Sequence, residues 1–163
     1  IAALRNTTGP TAILVTRQNL EPLDRSIYPA PEMLEKGAYT LCDTKPGEQP
    51  DAIIIATGSE VQLALKAIEQ LKEVGKSIRV VNMPSWELFE KQSPEYQESV
   101  LPKACTKRIA IEAGASFGWE RYIGIDGLAI TIDHFGASAP YKVLEQKLGF
   151  TPEKKKKKIK KYL

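Results

Sequence analysis

The sequence predicts an α/β fold of three layers (α/β/α), in which helices cover both faces of a mostly parallel five-stranded sheet. Two observations favour it. Several short apolar, β-branched runs are continuous rather than alternating, which is typical of strands buried on both faces. These runs alternate along the chain with segments whose apolar residues recur at the helical period, and this order is typical of a parallel sheet.

The amino-terminal third contains one strong apolar run and a proline-rich connection. Residues 11–16 follow Gly9-Pro10 and are predicted to form a buried strand, because the run is apolar and β-branched. Residues 20–37 hold several prolines without a clean period and are predicted to be an extended connection. Residues 38–42 fit a short strand before the next turn.

The clearest unit is a strand, a helix and a second strand. Residues 51–57 are predicted to be a buried strand, and Ser59 and Gln62 fit a capping box at the start of the helix. One helical face is apolar and comprises Val61, Ala64, Leu65, Ile68, Leu71 and Val74. Gly75 is predicted to end this helix, and residues 78–83 form the next strand after a right-handed crossover.

The remaining elements are shorter and begin at recognisable caps. Ser85 is predicted to cap a short helix through Phe89, where Trp86, Leu88 and Phe89 pack in the core or at an interface. Phe117 and Trp119 are predicted to pack in the same way. The other predicted elements, in chain order, are a helix from Ser93-Pro94-Glu95, a strand at 108–113, a helix at 116–123, a strand at 128–132, a helix at 138–148 and a helix from Thr151.

Charge and composition exclude several classes of partner. The whole chain has a net charge of +3. Residues 151–163 alone carry +6, so the rest of the chain has a net charge of −3. The lysine run 154–158 has no interleaved aromatic residue, which favours a solvated helix face and no nucleic-acid partner. No apolar run approaches the roughly 20 residues that cross a bilayer, so no membrane partner is expected. Cys42 and Cys105 are predicted to be buried free thiols of a cytoplasmic protein.

Two positions that follow predicted strands are candidate anion sites. Arg17 comes directly after the run at 11–16, and its guanidinium fork suits a phosphate, although the spacing alone fits a structural ion pair better. Gly58 and Ser59 lie where a strand gives way to a helix amino end, which presents free backbone N–H groups. A simple turn with a cap explains the same two residues, and the glycine pattern is too sparse for a dinucleotide site or a P-loop.

The single histidine is a weaker candidate. His134 follows Asp133 at a strand end, and Glu112 ends the preceding strand, so a carboxylate and a histidine could act together as acid and base. Without a recognisable nucleophile a structural role is the favoured interpretation. A lone histidine without paired cysteines predicts no metal site.

Several short motifs, taken together and in order, resemble the transketolase family over nearly the whole chain. They are Gly9-Pro10-Thr11-Ala12 leading to Thr16-Arg17-Gln18-Asn19-Leu20, Ile55-Ala56-Thr57-Gly58-Ser59-Glu60-Val61, Ser85-Trp86-Glu87-Leu88-Phe89, Glu98-Ser99-Val100-Leu101-Pro102, Ile111-Glu112-Ala113-Gly114, and Phe135-Gly136-Ala137-Ser138-Ala139-Pro140. The resemblance implies three parts: residues 1–20 as the tail of the middle, pyrimidine-binding domain, 21–50 as a linker, and 51–163 as the carboxy-terminal domain. Because the chain begins at Ile1, we expect a piece of a longer protein.

The family transfers a two-carbon ketol unit between sugar phosphates in the pentose phosphate pathway, as a homodimer with thiamine diphosphate and Mg²⁺. By resemblance, Arg17 contacts the phosphate of the sugar substrate, with Thr16 in place of the family's usual serine. The family's metal-binding segment, activating glutamate and substrate-facing histidines lie upstream, so this piece is expected to hold no catalytic residue or cofactor and to support the dimer. The alternative is a regulatory or partner-binding module of a related thiamine-diphosphate enzyme, with Gly58 and Ser59 as its anion site.

Overall fold

The computed structural model describes residues 1–71, 73 and 75–163. Its α-helices are α1 (Ala2–Arg5), α2 (Glu60–Glu69), α3 (Trp86–Glu90), α4 (Pro94–Val100), α5 (Glu120–Ile123), α6 (Tyr141–Leu148) and α7 (Pro152–Tyr162), and a 3-10 helix spans Pro31–Lys36. Its strands are β1 (Tyr39–Asp43), β2 (Ala52–Ala56), β3 (Ile78–Asn82), β4 (Arg108–Ile111) and β5 (Leu128–Ile130). Within the described residues, no helix is long and apolar enough to cross a membrane.

The five strands form one sheet in the order β1-β3-β2-β4-β5. Neighbouring strands run parallel except for β1, which pairs antiparallel with β3 at one edge. The mostly parallel five-stranded fold class is therefore confirmed. The set of strands in the sheet differs from the prediction. The sheet contains β1, which lies in the region interpreted as a linker, and does not contain residues 11–16.

The prediction of a buried strand at residues 11–16 is wrong for this structure. The segment has no regular secondary structure, and Ile13, Leu14 and Val15 are 73%, 95% and 82% exposed. Apolar, β-branched composition gives a preference for extended structure, but a strand also needs a neighbour to receive its backbone hydrogen bonds. Among the described residues no strand pairs with this segment.

The central strand β2 divides the core into two clusters, one on each face of the sheet. All five of its residues are buried. Ile54 packs in the cluster that α2 and α7 cover, whereas Ile53 and Ile55 pack in the cluster that α3 and α5 cover. Aromatic residues of the second cluster include Phe89 and Trp119, as predicted, whereas Phe117 is 89% exposed.

The helix caps are partly as predicted. Ser85 Oγ accepts a hydrogen bond from the Leu88 N–H, which confirms the predicted cap. Ser93 caps α4 in the same way, at the predicted start of that helix. The capping box at Ser59 is wrong, because Gln62 donates its amide to the Glu21 carbonyl instead of reaching back to the helix start.

Three helices are shorter than predicted, and one of them, α6, begins at Tyr141 rather than at residue 138. Helix α2 ends at Glu69 rather than near Gly75; Leu71 is still buried on its apolar side, and Val74 lies outside the described residues. Helix α5 covers only the last turn of the predicted segment 116–123.

The two thiols are free, as expected from their spacing. Cys105 is buried, and Cys42 in β1 is half-buried. Burial raises the pKa of the Cys42 thiol to about 11, and the neighbouring Asp43 acts in the same direction. A thiol of such high pKa is a poor nucleophile at neutral pH, so Cys42 is not a candidate reactive group.

Candidate functional site

The sheet has a point where the chain direction switches between neighbouring strands β2 and β4. From β2 the chain crosses through α2 to β3 on one side, and from β4 it crosses through α5 to β5 on the other. In open α/β sheets, ligands bind in the crevice outside the carboxyl ends of the two strands at such a point. Thr57 follows β2 and Glu112 follows β4, so both residues lie at this rim.

A crevice of about 340 Å³ lies at this rim, and we call it the rim crevice. Six of its lining residues are Thr57, Met83, Ser85, Trp86, Glu112 and Trp119. The Trp86 ring meets that of Trp119 nearly at a right angle, with centroids 5.1 Å apart. A Cβ atom at Gly118, which has φ +90°, would lie 2.6 Å from the Trp86 ring, so glycine allows the backbone to pack directly against the indole. The two contacts hold the Trp86 ring in place.

Two half-buried carboxyls meet at the rim. Burial, and after it the charge of Glu60, raise the pKa of Glu112 to about 7. Burial also raises the pKa of Glu60, although a hydrogen bond from Ser59 favours the charged form and acts in the opposite direction. Sequence reasoning missed this pair, because the two residues become neighbours only when β2 and β4 pair in the sheet.

The predicted anion site at Gly58 and Ser59 already faces a carboxyl of the chain itself. Gly58 has φ +56° and makes the turn into α2. The Ser59 hydroxyl donates to Glu60 Oε1 at 2.8 Å, so an acidic side chain lies at the helix amino end. Glu60 would repel a bound anion whenever it is ionised. The anion site stays a prediction.

Arg17 lies beside a second cavity, which we call the linker cavity. The cavity has a volume of about 400 Å³ and lies between Gln18–Leu20 and the helices α2 and α6. The Thr16 hydroxyl donates to the Gln18 side chain, and the neighbouring Arg17 side chain is exposed. No hydrogen bond or ion pair within the described chain holds the Arg17 guanidinium.

The structure does not bring His134 and Glu112 together as an acid–base pair. His134 is exposed, and its Nδ1 lies 2.8 Å from the Phe135 carbonyl oxygen. The Ser116 backbone N–H donates to Asp133 at 2.7 Å, and this contact holds the pKa of that carboxyl below its usual value. In the part of the chain that the structure describes, no three His, Cys, Asp or Glu side chains cluster as metal ligands.

The prediction of a solvated lysine face on α7 fails at one position. Lys155 is only 1% exposed, and its Nζ lies 3.4 Å from the centroid of the Phe150 ring. Burial, and after it the charges of Lys158 and Lys154, lower the pKa of this amine to about 7, although the charge of Glu60 acts in the opposite direction. The sequence held a signal for this burial, because Lys155 precedes the buried Ile159 by one helical repeat of four residues.

Residues 37–151 match the family model described as the transketolase-like C-terminal domain. The chain is 54% identical to the transketolase of Aquifex aeolicus over 151 residues, which cover 93% of this chain and 22% of the relative. It is 48% identical to that of Staphylococcus aureus with the same coverage. The solved transketolase of Pichia stipitis in complex with sedoheptulose 7-phosphate superposes with a TM-score of 0.78 at 36% identity, over 90% of this chain and 20% of that one. The chain spans about a fifth of the length of the curated relatives it matches.

Proposed function

The chain belongs to the transketolase family, and from this we propose that it acts as the carboxy-terminal part of an enzyme that transfers a two-carbon ketol unit between sugar phosphates. The match covers a complete sheet with helices on both faces, which supports a structural contribution of this domain to the larger enzyme. The solved relatives include a transketolase complexed with a sugar phosphate, which supports the substrate class.

We propose the same division of the chain that its motifs predict: residues 1–20 as the tail of the middle domain, 21–50 as a linker and 51–163 as the carboxy-terminal domain. The exposed apolar residues Ile13–Val15 support the first part, since contiguous exposed apolar side chains mark contact surfaces. Strand β1, which lies within the proposed linker, pairs with β3 at the edge of the sheet.

The observation that carries the substrate proposal is the exposed Arg17 guanidinium, which no described side chain pairs with. The two flanking segments are held: Gln18 by Thr16, and the backbone at Glu21 by Gln62 of α2. A guanidinium presented in this way has its donors free for the oxygens of a sugar phosphate.

We expect Arg17→Ala in the full-length enzyme to raise the KM for ribose 5-phosphate by about 10- to 100-fold, because one charge-assisted contact contributes about 1.5–3 kcal/mol. The KM for unphosphorylated ribose should change little. The measurement is steady-state kinetics with both acceptors. Arg25→Ala is the matched control, because Arg25 is another exposed arginine nearby in the sequence and donates only to the Pro29 carbonyl. Equal losses with ribose and ribose 5-phosphate would exclude Arg17 as the phosphate ligand.

Thiamine diphosphate and Mg²⁺, together with the homodimer, are proposed for the longer protein. The described residues offer no set of metal-ligating side chains that would fit such a cation, so no chemical step is assigned to them. Exposed Phe117 and Phe135 lie in the connections that follow β4 and β5 at the rim, and they support a role of this domain in subunit contacts. The two free thiols are consistent with a cytoplasmic enzyme.

A further inference from the structure

The rim crevice has the charge and shape of a site for a cation rather than for an anion. Two carboxyls, Glu87 and Glu112, line it together with the hydroxyl-bearing Thr57 and Ser85. None of its lining residues is Lys, Arg or His. A phosphate or carboxylate ligand would meet no positive side chain here, whereas a cation would find opposite charge.

Glu112 is the group with the most to gain from such a ligand. Its side chain is half-buried, and among the described residues no side chain or backbone group is hydrogen-bonded to its carboxyl. A carboxylate that loses water without gaining a hydrogen-bond donor is destabilised, and the positive charge of a neighbouring cation would offset that loss by direct attraction. Gly114 leaves open the space beside it that a side chain would fill, since a Cβ atom there would already be in contact with Glu112 Cγ at 3.4 Å.

Trp86 supplies an aromatic surface on the same crevice. Its ring is half-exposed and is packed on Trp119, on Gly118 and on Tyr122, whose ring centroid lies 5.3 Å away. An indole that lines a crevice together with a carboxylate can bind an ammonium group through the electrostatic attraction of the cation to the ring face. The contacts with Trp119 and Gly118 mean that little ordering is needed when a ligand binds.

We propose that the rim crevice binds a small hydroxylated organic cation, whose ammonium group pairs with Glu112 and lies against Trp86. The ligand's hydroxyl groups would be within the reach of Thr57 and Ser85, which line the same crevice. This site is separate from Arg17 and does not depend on the ketol-transfer activity.

The test uses choline as the probe and follows the tryptophan fluorescence and the backbone NMR spectrum of the 163-residue chain. The control is 3,3-dimethyl-1-butanol, which has the shape of choline without its charge, and inorganic phosphate provides an anion. We expect saturable changes at Trp86 and Glu112 with choline and at least ten-fold weaker binding of the neutral alcohol. Equal binding of the alcohol, or binding of phosphate in place of choline, would overturn the proposal.

Two variants separate the ion pair from a general effect on the fold. Glu112→Gln keeps the shape of the side chain and should weaken choline binding at least ten-fold, whereas Glu32→Gln removes an exposed carboxylate elsewhere and should leave binding unchanged. Trp86→Phe should weaken it a few-fold. With the unmodified chain, binding should be several-fold tighter at pH 8 than at pH 6, because the Glu112 carboxyl has a pKa of about 7 and choline stays charged throughout. Unchanged affinity in Glu112→Gln, with its fold verified by its NMR spectrum, would refute the site.

Discussion

The Lys155→Met variant is expected to be more stable than the unmodified chain by about 1–4 kcal/mol at pH 6, and so to melt several degrees higher. Lys155 is 1% exposed, and its amine contacts the Phe150 ring in the space between α7 and the core. Methionine fills a similar volume without a charge that must leave water. Thermal and urea denaturation, followed by circular dichroism, would measure the difference.

The stability difference should depend on pH in a definite direction. The pKa of Lys155 is about 7 in the folded chain, against 10.5 for an ordinary lysine, so the unfolded chain binds this proton more tightly. Below pH 7 the unmodified chain carries the full cost of the buried charge, and it recovers this stability as the pH rises from 7 toward 10.5. The advantage of methionine should shrink over the same range.

Lys157→Met is the matched control, because Lys157 is an exposed lysine of the same helix and its loss changes the net charge equally. It should change stability by less than about 0.5 kcal/mol at every pH. Glu60 and the Phe150 ring both attract the ammonium form of Lys155. If these contacts outweigh the loss of water, Lys155→Met would be destabilising at pH 6, and that result would contradict the prediction.

Gly37→Ala is expected to destabilise the chain by at least about 3 kcal/mol. Gly37 has φ +78°, and a Cβ atom there would lie 2.1 Å from the Phe89 nitrogen and 2.4 Å from the Ser85 carbonyl oxygen. Both are backbone atoms of the α3 turn, which cannot rotate away as the end of a flexible side chain would. The Gly37 carbonyl also accepts the Ser85 N–H at 3.0 Å, so the two segments are already in direct contact.

Gly47→Ala separates the clash from the cost of the backbone conformation. Gly47 has a similar φ of +85°, but no atom lies within 4 Å of a Cβ built there. The Gly47→Ala variant should therefore lose only about 1–2 kcal/mol of unfolding free energy, the usual cost of a left-handed conformation for a residue with a side chain. Urea denaturation of both variants would measure their free energies of unfolding. Equal losses in the two variants would show that the backbone around Gly37 moves away from the added Cβ atom without cost.

The fold could be predicted because β2, β3, β4 and β5 each lie in apolar runs that alternate with helical segments. The same rule failed at residues 11–16, which resemble β2 in composition. What separates the two is the presence of pairing partners, since β2 lies between β3 and β4 and the earlier run has no neighbour in the described chain. The sequence of β1 indicated a strand less clearly, because β1 is a half-buried edge strand and its residues are not all apolar.

Less of the candidate site could be predicted. Thr57 and Glu112 could be placed at the rim from the strand order, because parallel strands bring their carboxyl ends to one edge. The proximity of Glu60 to Glu112, and the fixing of Trp86 by Gly118 and Trp119, depend on how distant segments pack and have no local signal. The role of Arg17 as phosphate ligand remains a prediction from family resemblance.

The exposed run at residues 11–16 has a consequence for handling the chain in solution. Extended apolar segments with unpaired backbone groups can add to one another as intermolecular strands, which is an early step of aggregation. The lysines of α7 oppose this, because copies that carry the same charged helix repel each other at low ionic strength. Salt screens that repulsion within about 10 Å at 0.1 M, so turbidity should develop faster in saline buffers than in dilute ones.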